Sequence, residues 1–210
     1  MELILKKMHV LLGSCGVIVL SACGGASTSG GSPDGPPGEG IGTTSFESLS
    51  ADAKNLMQKY ESAPLSSVAA MPLSGSATYR GVAAYSLDSS DPNSVVQNAD
   101  ALSQIELSAN FALSQIEGRA YDFKSFDPNI TVEGQIDLEG SISGNAFSAV
   151  ANGTTSESGY GESFDITYNG SVQGTFVGDS AQALVGAGAL TGSAPGLGDF
   201  PVWMLMIAEP

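Results

Sequence analysis

The amino-acid sequence predicts an all-β protein: an eight-stranded antiparallel up-and-down β-barrel preceded by a signal peptide, a disordered Gly/Pro/Ser linker and one short amphipathic helix. Three observations carry that expectation. From Phe164 to Phe176, apolar residues and glycine at every second position alternate with Asp165, Thr167, Asn169, Ser171, Gln173 and Thr175. Successive strand side chains point to opposite faces, so this is a long strand with one dry and one wet face. Similar runs recur between Leu73 and Ile207, separated by turn residues. Finally, Val202 to Ile207 (VWMLMI) is apolar on both faces and must be covered on both sides.

The N-terminus reads as a leader. Lys6 and Lys7 form a positive region, Val10 to Leu20 a short apolar run, and Leu20-Ser21-Ala22-Cys23 a lipobox. An apolar run this short, ending in small residues, is a secretory signal rather than a membrane span. The rival is an ordinary signal peptide with an incidental cysteine; the lipobox reading is preferred and makes Cys23 the site of lipid attachment, carrying a palmitate-type acyl anchor. Residues 1–22 are then the signal peptide and 23–43 the lipidated cysteine with a flexible linker. Gly24 to Thr43 holds eight glycines and three prolines and cannot form a core. As a flexible coil it would hold the domain roughly 25 Å from the membrane.

Cleavage before Cys23 also removes Cys15 and His9, the only histidine. The mature chain would have no histidine and no disulfide, which excludes Ser-His-Asp and Cys-His machinery and zinc sites built from His or Cys. The formal charge of −15 becomes −16 when Glu2, Lys6 and Lys7 are lost. Such a surface repels nucleic acid and anionic headgroups and leaves a cationic partner or plain solubility as explanations.

Residues 44–72 are assigned to a helix and its connection. Thr44-x-x-Glu47 is a capping-box pattern, and Phe46, Leu49, Ala53, Leu56, Met57 and Tyr60 fall at helical spacing, giving a helix from about Ser45 to Glu61. It packs on the barrel's outside, plugs one end, or serves a partner; the outer face of Val202–Ile207 is its expected seat.

Residues 73–210 form the barrel. Ser76–Tyr85 alternates, and Ser86–Asp100 reads as a polar loop. Ile105–Leu113 and Ile116–Phe123 make a hairpin, and Ile130–Ile142 turns at Ser143-Gly144-Asn145 into Ala146–Asn152. Gly153–Glu162 reads as a second polar loop before the Phe164 strand, which turns at Gly178-Asp179-Ser180 into a Gly/Ala-rich strand ending at Gly192. Eight such strands can close a barrel nearly filled by side chains. An integral outer-membrane barrel is disfavoured because the alternate faces carry Glu, Asp, Gln, Asn and Ser rather than a lipid-facing apolar band.

The stretch Gly174-Thr-Phe-Val-Gly-Asp-Ser-Ala-Gln-Ala-Leu-Val-Gly186 resembles the late barrel hairpin of transferrin-binding protein B-like surface lipoproteins of Gram-negative bacteria. That family reads Gly-x-Phe-x-Gly-Pro-x-Ala-x-Glu followed by a glycine pair. Gly174, Phe176, Gly178, Ala181 and Gly186 match; Asp179, Ala183 and Val185 depart. Ser76–Tyr85 and Gly118 are similar to the family's first strand and a later strand glycine. The resemblance implies a non-enzymatic, lipid-anchored outer-membrane protein at the cell surface. Its single barrel would take a protein or iron-related ligand through the loops Ser86–Asp100 and Gly153–Glu162, without a cofactor and without nucleic acid. The alternatives are a periplasm-facing, lipocalin-like carrier of a small apolar ligand and a structural envelope lipoprotein.

Glu133, Asp137 and Glu139 share a strand face and could form a glycosidase pair, but such a pair needs a cleft that a filled barrel lacks. Asp88-Ser-Ser-Asp91-Pro-Asn93 offers oxygen ligands to a hard cation, though a plain loop has the same composition. Tyr79 and Tyr85 could ligate iron, but period-two aromatics are ordinarily core. No catalytic or metal residue is assigned.

Overall fold

The computed structural model describes residues 44–87 and 94–210. Helix α1 (Phe46–Tyr60) is followed by a single 3-10 turn (Val68–Ala70). Eight strands come next: β1 (Ser76–Ser86), β2 (Ala101–Asn110), β3 (Gln115–Ser125), β4 (Thr131–Ser143), β5 (Ala146–Gly159), β6 (Glu162–Val177), β7 (Ala183–Ala194) and β8 (Gly198–Glu209). Each pairs antiparallel with its sequence neighbour, and β1 pairs with β8, so the sheet closes into a barrel with no free edge. The predicted fold class is therefore the observed one.

The alternation read from the sequence is the alternation of inside and outside. Tyr79, Ile105, Leu107, Ile136, Leu138, Val172, Phe176, Met204 and Met206 are buried on the inner face. Phe176 is the hub at one end, within 6 Å (ring centroids) of Tyr79, Phe111 and Phe147. Inward glycines make room for those rings and for the close approach of neighbouring strands. A Cβ on Gly174 would lie 2.3 Å from the Phe147 ring, and one on Gly81 would lie 2.0 Å from the Ile207 carbonyl across the closing seam.

The aromatic end is plugged by the chain between α1 and β1. Ser66 donates its N–H to the Phe176 carbonyl (3.0 Å) and its hydroxyl to the Gly178 carbonyl (2.6 Å). Asn145 donates to the Ser66 carbonyl (2.6 Å), and the Tyr79 hydroxyl donates to the Ala181 carbonyl (2.8 Å). The segment is thereby pinned to the β4–β5 and β6–β7 turns. The opposite end, here called the mouth, carries the β1–β2, β3–β4, β5–β6 and β7–β8 connections.

Helix α1 lies on the barrel's outside. Leu49 (2% exposed) and Ala53 pack with Val82, Ala84 and Leu102 and with Val95, Val96 and Ala99 of the β1–β2 connection; Phe46, Met57, Trp203 and Leu205 complete the cluster. The helix thus covers the outer apolar face of β8, as Val202–Ile207 requires. Its end is tied down by Lys59 and Tyr60, which both reach Glu209 (2.5 and 2.8 Å). The N-cap is Ser45, whose side chain accepts from the Ser48 amide, rather than Thr44, whose hydroxyl instead bonds Asp122.

Three expectations on the strands are corrected. Gly153–Glu162 is not a loop: β5 runs to Gly159, β6 starts at Glu162, and only Tyr160 and Gly161 turn the chain. Phe111–Ser114 is a turn rather than the end of β2, because Asn110 caps the Leu113 amide and Ser114 takes φ 55°. Strand β8 extends beyond Val202–Ile207 in both directions, to Gly198 and Glu209.

Candidate functional site

The two loops singled out by sequence do sit at the same end of the barrel, the mouth, but neither presents the long polar surface expected. Residues 88–93 lie outside the described residues, and with them the Asp88–Asn93 oxygen cluster. The rest of that connection folds down, with Val95, Val96 and Ala99 buried under α1. The other loop is a two-residue hairpin turn.

What the mouth presents is a braced aromatic tip. Tyr160, in the β5–β6 turn with φ 53°, donates its hydroxyl to Asp127 of the β3–β4 connection (2.7 Å). Asp127 also accepts from the Asn129 amide and side chain, both at 2.9 Å. Two neighbouring turns are thus locked together through one carboxylate. Tyr160 is 49% and Phe126 63% exposed, and Phe126 meets Phe46 edge to face at 5.5 Å.

Beside this tip, between the start of α1 and the β3–β4 hairpin, lies an open cavity of about 540 Å³ whose lining includes Phe46, Lys124, Phe126, Pro128, Ile130 and Val132. A bulge shapes its wall: one residue of β2, Ser103, faces two of β3, Asp122 and Phe123. Phe123 turns inward against Tyr85 (5.4 Å) and Asp122 turns out. Burial works to raise the Asp122 pKa, but Lys124 (2.7 Å), Thr44 and Gln104 (3.0 Å) outweigh it and hold the carboxyl below its ordinary value. This network pins the helix start to the barrel wall.

Glu133, Asp137 and Glu139 stand on the outer, exposed face of β4. Asp137 and Glu139 line a shallow hollow of about 400 Å³ with Glu106, Glu117 and Arg119, where Arg80–Glu106 (2.8 Å) forms an ion pair. Tyr79 and Tyr85 are core residues: Tyr79 bonds a backbone carbonyl and Tyr85 bonds Ser103 (3.3 Å). Burial pushes Tyr79 up to about 12 and Tyr85 higher still, which opposes the phenolate an iron ligand requires. Among the described residues, no three His, Cys, Asp or Glu side chains converge as a metal set, and no helix is long and apolar enough to cross a membrane. Cys23 lies outside the described residues.

With an eight-stranded closed barrel and an outer helix in view, the class is a small antiparallel up-and-down barrel. The family described as the C-lobe and N-lobe beta barrels of Tf-binding protein B matches residues 71–197, more than half the chain, and the chain belongs to that family. Two solved structures are similar to part of this chain. One is the intact Ap-TbpB with N and C lobes, at 20% identity and TM-score 0.38. The other is a mutant of the vaccine antigen Transferrin Binding Protein B from Haemophilus parasuis, at 18% identity and TM-score 0.40. Each match covers 69% of this chain but only 28% of the other, so this chain spans little more than a quarter of their length. No curated protein matches it.

Proposed function

We propose that this protein is a non-enzymatic lipoprotein of the outer membrane, anchored through Cys23, that captures a protein partner at the mouth of its barrel. The carrying observation is the Phe126–Tyr160 tip. Two large, exposed aromatic side chains are braced there, Tyr160 by its hydrogen bond to Asp127 and Phe126 by its edge-to-face contact with Phe46, so little side-chain entropy is lost when a partner covers them. Family membership supports the same reading, and an iron-carrying protein of the transferrin type is the partner class its name suggests. The strong acidity favours a basic patch on that partner. The lipocalin-like alternative needs an apolar cavity, and Tyr79, Phe111, Phe147 and Phe176 occupy one end of the interior.

The test combines orientation and binding. Protease added to intact cells should digest the domain while a periplasmic control protein survives. Iron-loaded transferrin should be retained by the wild-type protein and released when Phe126 and Tyr160 are both changed to Ser. Retention by the double variant at wild-type strength would sink the tip as the contact, and protection of the domain in intact cells would sink external capture.

A further inference from the structure

The inner face of the mouth differs from the rest of the interior. On β5, Thr155 and Glu157 both point inward, two residues apart on one face. Phe164 stands directly opposite Glu157, and Tyr168 lies diagonal to Thr155 across β5–β6. Thr155 is 1% exposed, and its hydroxyl makes no hydrogen bond of good geometry among the described residues; Tyr168 is the polar side chain that interacts with it. Glu157 is mostly buried, yet it makes no ion pair or hydrogen bond among the described residues. Native interiors rarely leave such groups alone, since an unpaired buried polar atom costs about 1–3 kcal/mol.

We propose that the mouth holds a binding site for a small organic cation, a primary ammonium group seated among Glu157, Thr155 and Tyr168. An ammonium has three donors and no acceptor. The Glu157 carboxylate, the Thr155 hydroxyl oxygen and the Tyr168 phenol oxygen offer it three acceptors. The walls include aromatic rings: Phe164 faces Glu157, and Tyr168 lies farther in, diagonal to Thr155, surfaces that favour an organic cation over a hydrated metal ion. A hard divalent cation would ask for six or more oxygens and gain nothing from those rings. The charged group acting on Glu157 is Asp100 of the β1–β2 connection, and Glu157 in turn acts on Tyr168 of β6. Burial first, and Asp100 second, push the Glu157 carboxyl up to about 7. Burial keeps the Tyr168 phenol protonated. A cation is therefore the ligand charge this mouth is short of. The site is inside the barrel and independent of the aromatic tip outside it.

The test uses the full-length protein in detergent at pH 8, titrated with n-butylammonium chloride and, in parallel, with 1-butanol, sodium butyrate and calcium chloride. Only n-butylammonium should raise the thermal midpoint in a saturable way, as a ligand of the folded state does. Glu157→Gln should weaken its binding at least tenfold. Thr155→Val keeps shape, removes a hydroxyl that makes no hydrogen bond of good geometry and so should fold at least as stably, yet it should bind less tightly. Capture of transferrin should be unaffected by Glu157→Gln. The proposal is overturned if butanol or butyrate binds as well as the ammonium, if calcium alone binds, or if the folded Glu157→Gln protein binds undiminished.

Discussion

Glu157 makes a sharp prediction about stability. Its ordinary pKa is 4.5 and burial in the folded protein carries it to about 7, a gap of about 2.5 pH units. At roughly 1.4 kcal/mol per unit, ionising it in place costs about 3.5 kcal/mol, with water at the mouth trimming that to about 2–3. The sign follows from the proton count. Between pH 4.5 and 7 the folded state holds a proton that the unfolded chain has released, so stability falls as pH rises through that window. Above it both states are ionised and the full cost remains. Glu157→Gln carries no charge and should escape this penalty. Urea unfolding followed from pH 4.5 to 8.5 should show the two proteins alike at the acid end. At pH 8 the variant should be more stable by about 2–3 kcal/mol, or roughly 4–12 °C in thermal midpoint for a domain of this size. Asp122 and Glu209 act in the opposite sense. Burial raises Asp122, but Lys124, Thr44 and Gln104 outweigh it; Lys59 and then Tyr60 lower Glu209, against a smaller effect of burial. Their stabilisation is present above the ordinary carboxylate range and lost below it, at more acid pH than the Glu157 window. Parallel curves for wild type and Glu157→Gln between pH 5 and 8 would refute the assignment of a buried, unpaired carboxyl.

Other outcomes follow from the packing. Gly81→Ala would force a Cβ onto the Ile207 carbonyl and should destabilise by at least about 3 kcal/mol, with hydrogen exchange at the β1–β8 seam accelerated first. Leu49→Ala should cost about 2–5 kcal/mol in urea unfolding by leaving a hole between α1 and the barrel; a loss below about 1 kcal/mol would mean the helix is not part of the folded unit. Ser66→Ala removes the hydrogen bonds to Gly178 and Ala181 and should cost about 1–3 kcal/mol, with loosened amides confined to the β6–β7 turn and the plug.

The strands that sequence made legible are those whose inner face is apolar. From Phe164 to Phe176 the period of two is unbroken, and β6 covers it. Helix α1 was legible because one stripe, Phe46, Leu49, Ala53 and Met57, is apolar and its place was demanded by the outer face of β8. Its cap was displaced by one residue because Thr44 found a partner in Asp122, a contact 78 residues away that no local pattern announces. The turn at Phe111–Ser114 was missed for a related reason: Phe111 and Leu113 keep the alternation going, but Asn110 has already capped the chain. The exposed aromatic tip was invisible because Phe126 and Tyr160 come from separate turns, joined through Asp127 and Asn129.

The misread of Gly153–Glu162 is the most informative of these differences, because its cause and the proposed site are the same residues. Along β5 the inward positions run Phe147, Ala149, Ala151, Gly153, Thr155, Glu157, so the inner face turns from apolar to polar as the strand nears the mouth. A reader of hydrophobic periodicity loses the strand at that point, since both faces now look wet. Yet the hydrogen-bond ladder continues in register on both sides through Gly134↔Thr155 and Glu157↔Phe164. A strand that keeps its backbone order after its hydrophobic reason has ended places polar groups inside a barrel at a cost in stability. The plugged end shows the opposite choice, with Tyr79, Leu107, Phe147 and Phe176 buried on the inner face there. That contrast between two ends of one sheet is the reason to look for a ligand at the mouth.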